Sequence, residues 1–314
     1  MSKVYVTRSF PGEGMERLKE HFQVTVHEGW KDVPREEMLK QLQDTDILMT
    51  YNDTIDREMI ENAPRLKAII DHWGGRAVDA EAATEAGIAV PRLSNHYGWI
   101  VDGVADIVWG LMIAVGRKFQ EGAGFIRRGY WSSSEQSNHL LLGQGMSGRT
   151  VAILGAGTIG RAVARRAAGF GVDLIYHDIA RNEEIEKMGA VFMEKEEFLR
   201  KADYLTIHLS DIDENVHFMG EKEFALMKET AIVVNTARGR MVDQKALIQA
   251  LQEKRLAGAG LEVLEGEPEG EPDVSPELLT MDNVLLVPHI GGALRLEREK
   301  AFSEMVDACM EIEL

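Results

Sequence analysis

Three short motifs carry polar groups that together can perform one reaction: Asn235-Thr236-Ala237-Arg238-Gly239, Glu265-Gly266-Glu267-Pro268 and Pro288-His289-Ile290-Gly291-Gly292. Arg238 offers a planar guanidinium that grips a carboxylate and an adjacent keto oxygen in bidentate fashion. A histidine ordinarily titrates near neutral pH, so His289 can give a proton to a carbonyl oxygen and recover it in the reverse direction. Glu267, set by the turn before Pro268, would pair with His289, favour the imidazolium and orient its ring. A fixed cation, a proton carrier and an acid that tunes it are what reduction of a 2-keto acid asks of a protein.

A fourth motif supplies a place for the reductant. Val151-Ala152-Ile153-Leu154 runs into Gly155-Ala156-Gly157-Thr158-Ile159-Gly160, with a helix directly after. Glycines at these positions permit a tight turn and let backbone N–H groups approach a pyrophosphate, whose charge is favoured at the helix N-terminus. Asp178 ends the next strand about 20 residues on, where a carboxylate accepts bonds from ribose hydroxyls. A carboxylate there repels a 2′-phosphate, so the expected cofactor is NAD rather than NADP. Arg181 lies close by and is read as solvated or stacked on adenine.

These motifs need strand ends to position them. From Val4 onward the sequence alternates strand and helix patterns: strands at Val4 to Thr7, Gln23 to His27, Ile47 to Thr50 and Leu66 to Ile70, with helices between. Such alternation predicts a parallel sheet with helical crossovers, ending near Pro91 to Asn95. The apolar segment Val101 to Arg117 has helical period and must be buried widely, between domains or against a second subunit. Gly122 to Ser147, rich in Gly and Ser, reads as a surface wrap. A second alternation starts at Arg149, and six strand candidates follow the glycine turn, the number a dinucleotide-binding sheet uses. Arg238 and His289 each follow such a strand, where a doubly wound sheet binds its ligand. One helix remains beyond Gly292 and is expected to return to the first domain.

With 314 residues, two domains are the better expectation. A net charge of −17, from 52 acidic against 35 basic residues, disfavours nucleic acid as a partner. No stretch approaches the roughly 20 apolar residues of a membrane span, so no membrane partner is expected. Cys309 is the single cysteine, which precludes an intrachain disulfide; with Phe302, Met305 and Ile312 at helical spacing it reads as a buried structural thiol. The opening MSKVYVTRSF lacks the apolar run of a secretion signal, so a cytoplasmic location is expected. No metal site is expected.

The chain resembles the D-isomer-specific 2-hydroxyacid dehydrogenase family over essentially its whole length, above all its glyoxylate and hydroxypyruvate reductase branch. In that family an N-x-x-R-G arginine, the glutamate before proline in E-x-E-P and the histidine of P-H-x-G form the catalytic set, matching Arg238, Glu267 and His289. The resemblance implies an α/β chain of two doubly wound parallel-sheet domains: a Rossmann cofactor domain, 102–289, inserted in a discontinuous flavodoxin-like substrate domain, 1–101 completed by 290–314. It implies that His208, Thr236, Ala237 and Glu262 lie along the cofactor beside Gly155, Gly157, Thr158, Ile159, Gly160 and Asp178. The segment His72-Trp73-Gly74-Gly75-Arg76-Ala77-Val78-Asp79 resembles the family's substrate loop, which implies that Trp73, Gly74, Gly75 and Arg76 bind substrate, with backbone amides on its carboxylate opposite Arg238. Family members are typically homodimers acting on a small 2-keto or 2-hydroxy acid.

Three positions depart from the family pattern. Glu262 stands where Asp is usual, Arg76 replaces an acidic residue of the substrate loop, and Asp106 falls where V-A-E-H has its Glu. Arg76 suggests a second anionic or polar group on the substrate, or an ion pair with a neighbouring acid. Two other activities share the frame: a phosphite dehydrogenase-like member, which expects lysine where Trp73 stands, and an NAD(H)-sensing corepressor-like binding protein.

Overall fold

The structure is a computed structural model that describes residues 1–29, 32–51, 53–72, 74–75, 77–93, 97–131, 139–266 and 272–312. The chain divides into two compact units, Met1–Trp99 with Ala293–Leu314, and Ile100–Gly292.

The first unit alternates β1 (Lys3–Val6), α1 (Gly14–His21), β2 (Gln23–Val26), α2 (Arg35–Leu42), β3 (Ile47–Thr50), α3 (Arg57–Glu61), β4 (Ala68–Asp71) and α4 (Ala80–Glu85). Its four strands pair in parallel in the order β2-β1-β3-β4, the flavodoxin-like arrangement. β3 and β4 are buried along their whole length, as parallel strands covered on both faces must be. Helix α4 was not anticipated; Asp79 caps it by accepting the Ala82 N–H at 2.9 Å. The C-terminal helix, Arg295–Glu311, belongs to this unit and buries Phe302, Met305, Val306 and Cys309 in one core with Val4, Val6, Ile47 and Ile70. Burial pushes the Cys309 thiol up to about 12, so it stays protonated.

The second unit opens on α5 (Tyr97–Gly116) and α6 (Phe119–Arg127), then alternates β5 (Thr150–Leu154), α7 (Thr158–Arg166), β6 (Asp173–His177), α8 (Glu183–Glu186), β7 (Val191–Phe192), α9 (Lys195–Lys201), β8 (Tyr204–Ile207), α10 (Glu221–Leu226), β9 (Ile232–Asn235), α11 (Gln244–Gln252), β10 (Gly258–Leu261), α12 (Pro276–Thr280) and β11 (Val284–Leu286). Its sheet has seven parallel strands in the order β11-β10-β9-β8-β5-β6-β7, which is doubly wound with the reversal between β5 and β8. Leu154 lies beside Ile207, Ile207 beside Asn235 and Asn235 beside Leu261. The turns after β5, β8, β9 and β10 therefore leave the sheet along one edge.

Two expectations about this unit were off. The Gly-rich stretch after Arg117 starts as a helix, α6, because its glycines alternate with Phe119, Phe125 and Ile126 at helical spacing. Helix α5 spans 20 residues, and its Gly98–Gly116 part is long and apolar enough, by length and composition, to cross a membrane. Asp102 and Asp106 interrupt the apolar run and pair with Arg166 at 3.1 and 2.7 Å. Val101, Ala105, Val108 and Met112 are buried in the cluster that holds Val151 and Ile153, and the Trp109 indole donates to the Val163 carbonyl at 3.1 Å. The helix is thus a core element of its unit.

Candidate active site

The glycine turn after β5 is shaped by close backbone contact. Gly155 has φ +95°, and a Cβ there would lie 2.6 Å from the His208 carbonyl oxygen. A Cβ on Gly160 would lie 2.1 Å from the Gly155 oxygen, so α7 packs onto the turn only through glycine. Gly157 is different: nothing stands within 4 Å of where its Cβ would be. It is the N-cap of α7 and brings no side chain to the helix's first turn, which continues through Thr158 and Ile159. Open space in front of uncapped N–H groups, at the positive end of a helix dipole, suits a pyrophosphate.

Asp178 holds this turn from the next strand. Its Oδ2 accepts the Ala156 N–H and its Oδ1 the Ile179 N–H, both at 2.7 Å. A carboxylate has about four acceptor positions, so it can bind ribose hydroxyls while fastening the loop. Arg181 is exposed, pairs with Glu186 at 2.9 Å and stands 5.9 Å from the centre of the Phe192 ring.

Two buried polar atoms farther along the sheet edge have no protein partner among the described residues: Nδ1 of His208 and the hydroxyl of Thr236. Nε2 of His208 lies 2.8 Å from Thr206 Oγ1. Burial lowers the His208 pKa to about 3, so its ring is neutral throughout the physiological range. A buried polar atom left unsatisfied costs about 1–3 kcal/mol, which a ligand hydrogen bond would offset. Cradle, carboxylate and orphaned atoms together fit a dinucleotide.

The turn after β9 carries Arg238. Asn235 ends the strand and grips the turn from both sides, its Oδ1 accepting the Ala237 N–H at 3.0 Å and its Nδ2 donating to the Arg238 carbonyl at 2.9 Å. A Cβ on Gly239 would lie 1.8 Å from the Leu264 oxygen and 2.5 Å from the Glu265 nitrogen, so this turn packs backbone to backbone on the segment that leads to Glu267. The Arg238 side chain is partly exposed; Nη1 donates to the Ala237 carbonyl at 2.6 Å and Nε sits 3.4 Å from Asp211. Asp211 also accepts from Arg240 at 2.7 Å, and Arg240 reaches Asp213 at 3.0 Å. Asp211 and Asn235 had no assigned role in the sequence reading; a polar residue at a strand's carboxyl end next to a glycine turn is the signal that marks Asn235.

His289 follows β11 in the left-handed region, φ +47°, and is exposed. Its N–H is shared between the carbonyls of Glu262 at 3.1 Å and Val287 at 3.0 Å. The Glu262 N–H in turn donates to the Asn235 carbonyl at 3.0 Å. Glu262 is buried, and its carboxylate accepts the Gly291 N–H. The Arg238 and His289 turns are thereby tied to each other through one residue. Glu267 lies outside the described residues; the adjacent Glu265 pairs with His217.

In the first unit the turn after β4 is wired through Asp71, which is fully buried. Its carbonyl accepts the Gly74 N–H at 2.9 Å and its Oδ2 the Gly75 N–H at 2.7 Å. Gly74 and Gly75 have φ +74° and +87°. His72 is buried and stacks on Tyr51 with ring centres 4.8 Å apart, while Arg298 donates to the Tyr51 hydroxyl at 2.9 Å. Trp73 and Arg76 lie outside the described residues. Among the described residues no group of three His, Cys, Asp or Glu is placed to hold a metal ion.

Residues 109–291 match the model of the D-isomer-specific 2-hydroxyacid dehydrogenase NAD-binding domain. The chain is 40% identical over 302 residues to a glyoxylate reductase of Thermococcus litoralis, a match that covers 95% of this chain and 89% of that one. Among solved structures it is similar to a protein from Thermus thermophilus, 36% identical with a TM-score of 0.82 over 97% of this chain and 94% of the other. A second, a putative D-isomer-specific 2-hydroxyacid dehydrogenase from a Polaromonas species, is 29% identical with a TM-score of 0.84, covering 99% and 96% of the two chains.

Proposed function

The chain belongs to the D-isomer-specific 2-hydroxyacid dehydrogenase family and is an NAD-dependent dehydrogenase, and on that premise we propose that it reduces glyoxylate, or a similarly small 2-keto acid such as hydroxypyruvate, reversibly to the D-2-hydroxy acid. The observation that carries this reading is the hydrogen-bonded run Asn235–Glu262–His289, which puts a guanidinium turn and a histidine turn on the sheet edge that also holds the glycine cradle. When bound, the nicotinamide supplies the hydride that goes to the keto carbon. Arg238 holds the substrate carboxylate, taking it in exchange for Asp211. His289 donates the proton to the developing alkoxide, and Glu267 keeps the imidazole protonated until it does. Gly155, Gly157, Thr158, Ile159 and Gly160 hold the pyrophosphate, Asp178 the ribose, and His208, Thr236 and Ala237 the nicotinamide half.

The cofactor domain is assigned to 102–289 and the substrate domain to 1–101 with 290–314. Trp73, Gly74, Gly75 and Arg76 are assigned to the substrate, the two glycine N–H groups passing from Asp71 to the substrate carboxylate. The test is NADH oxidation across glyoxylate, hydroxypyruvate and dicarboxylic keto acids, repeated with NADPH. Turnover with the small acids and NADH is expected; no turnover with any of them would sink the reading. The named relatives do not favour the phosphite-oxidising or cofactor-sensing alternatives.

The enzyme is also proposed to be a cytoplasmic homodimer. Support comes from α6 and the segments after it, where Phe119, Ile126, Tyr130, Trp131, Leu140 and Leu142 are exposed apolar side chains that a second copy would cover. Sedimentation at low micromolar concentration should report a dimer; a monomer throughout would remove this part.

A further inference from the structure

We propose that Glu262 is a positioning residue for His289, acting through the Gly291 N–H rather than on the cofactor. The inference rests on the proton-transfer role of His289 given above.

Glu262 is 3% exposed, so its carboxylate is desolvated, and a desolvated carboxylate needs strong donors. One such donor is the Gly291 N–H, two residues past His289. The backbone of Glu262 completes the grip: its carbonyl accepts the His289 N–H at 3.1 Å, while its own N–H donates to Asn235 at 3.0 Å. The His289 turn is therefore bound at both ends by one residue, and that residue is fastened to the strand end that holds the Arg238 turn. Position 291 is shaped to admit this contact. A Cβ there would stand 3.1 Å from each Glu262 oxygen and 2.8 Å from Val104, so any other residue would push the carboxylate away.

The side-chain length has a reason in this arrangement. An aspartate at 262 would hold its carboxylate one methylene nearer its own backbone and short of the Gly291 N–H. Proton transfer is sensitive to such placement, because donor and acceptor must approach within hydrogen-bond distance and a shift of about 1 Å can cost about 100-fold in rate.

The test measures kcat and KM for glyoxylate, and the NADH dissociation constant by fluorescence, in Glu262→Ala, Glu262→Asp, Glu262→Gln and, as control, His289→Asn. For Ala and Asp at 262, kcat should fall about 10- to 100-fold while NADH affinity stays within about twofold, which also shows that the variants are folded. Glu262→Gln, whose amide oxygen still accepts the Gly291 N–H, should keep most of the turnover. NADH affinity that drops in step with kcat would overturn the inference and make Glu262 a cofactor ligand. Unchanged kcat in Glu262→Ala, with His289→Asn inactive, would overturn it alone. His289→Asn turning over like the wild type would instead bring down the proton-transfer reading on which it stands.

Discussion

The turn after β5 and the turn after β4 both place glycines at the carboxyl end of a buried parallel strand, and both are held by an aspartate. They are wired in opposite ways. Asp178 reaches over from the neighbouring strand and takes one N–H of the glycine turn, that of Ala156, leaving the N-terminus of α7 without a capping side chain. Asp71 belongs to the strand that enters its own turn; its carboxylate takes the Gly75 N–H and its backbone carbonyl the Gly74 N–H. The first turn is therefore a standing site for an anion, whereas the second already contains one. On the proposed assignment, a substrate carboxylate at the β4 turn would have to displace a protein carboxylate from the Gly75 N–H, while a pyrophosphate at the β5 turn would meet no protein anion on the first turn of α7.

This contrast has measurable consequences, the largest of them in the chemistry. His289→Ala should lower kcat by about 10²- to 10⁴-fold with NADH affinity unchanged, the usual loss for a general acid. Equal losses in both would show that His289 serves cofactor binding, and the proton-transfer role would fall. Gly157→Ala places a methyl in open space in front of α7, so the NADH dissociation constant should rise about tenfold, roughly 1.4 kcal/mol, with little change in melting temperature. Unaltered affinity would mean that the open turn is not the pyrophosphate site.

The effect at the other turn should be smaller and of opposite sign. Asp71→Asn keeps an oxygen for the Gly75 N–H but removes the competing charge, so KM for glyoxylate should fall by roughly threefold with NADH affinity unaltered. A rise in KM would erase the distinction between the two turns.

Smallest is a pH effect at His208. Its folded pKa, about 3, lies below the ordinary value of 6.5, so between these values the unfolded chain binds a proton that the folded chain refuses. Stability from this residue is complete above about pH 6.5 and is lost as pH falls toward 3. His208→Gln should flatten the decline in melting temperature across that window. An identical slope in both proteins would show that the ring is not buried in solution.

Much of this was legible in the sequence, and the reasons differ by residue. Gly155, Gly157 and Gly160 announce themselves because strand, turn and helix follow in fixed order around them. Arg238 and His289 stand directly after apolar strands, so a parallel sheet puts both on one edge whatever its details. Asp71 escaped notice because it looks like the last residue of a strand, and only the positive φ of Gly74 and Gly75 brings their N–H groups back to it. Glu262 was expected along the cofactor, and no sequence pattern announces that its carboxylate accepts the Gly291 N–H. Helix α6 was hidden by its glycines, whereas the helical period of Val101 to Arg117 announced α5.

The left-handed backbone of His289 has a consequence for anyone who engineers this protein. Among the described residues, four other than glycine have positive φ: Lys118, His217, Lys254 and His289. Glycine relieves the strain at each, by about 1 kcal/mol. A library selected for heat resistance alone would thus enrich glycine at 118 and 254 and, by the same physics, at 289, where it deletes the proposed proton donor. Thermostability and turnover pull this one codon in opposite directions, so position 289 has to be held fixed in any such selection.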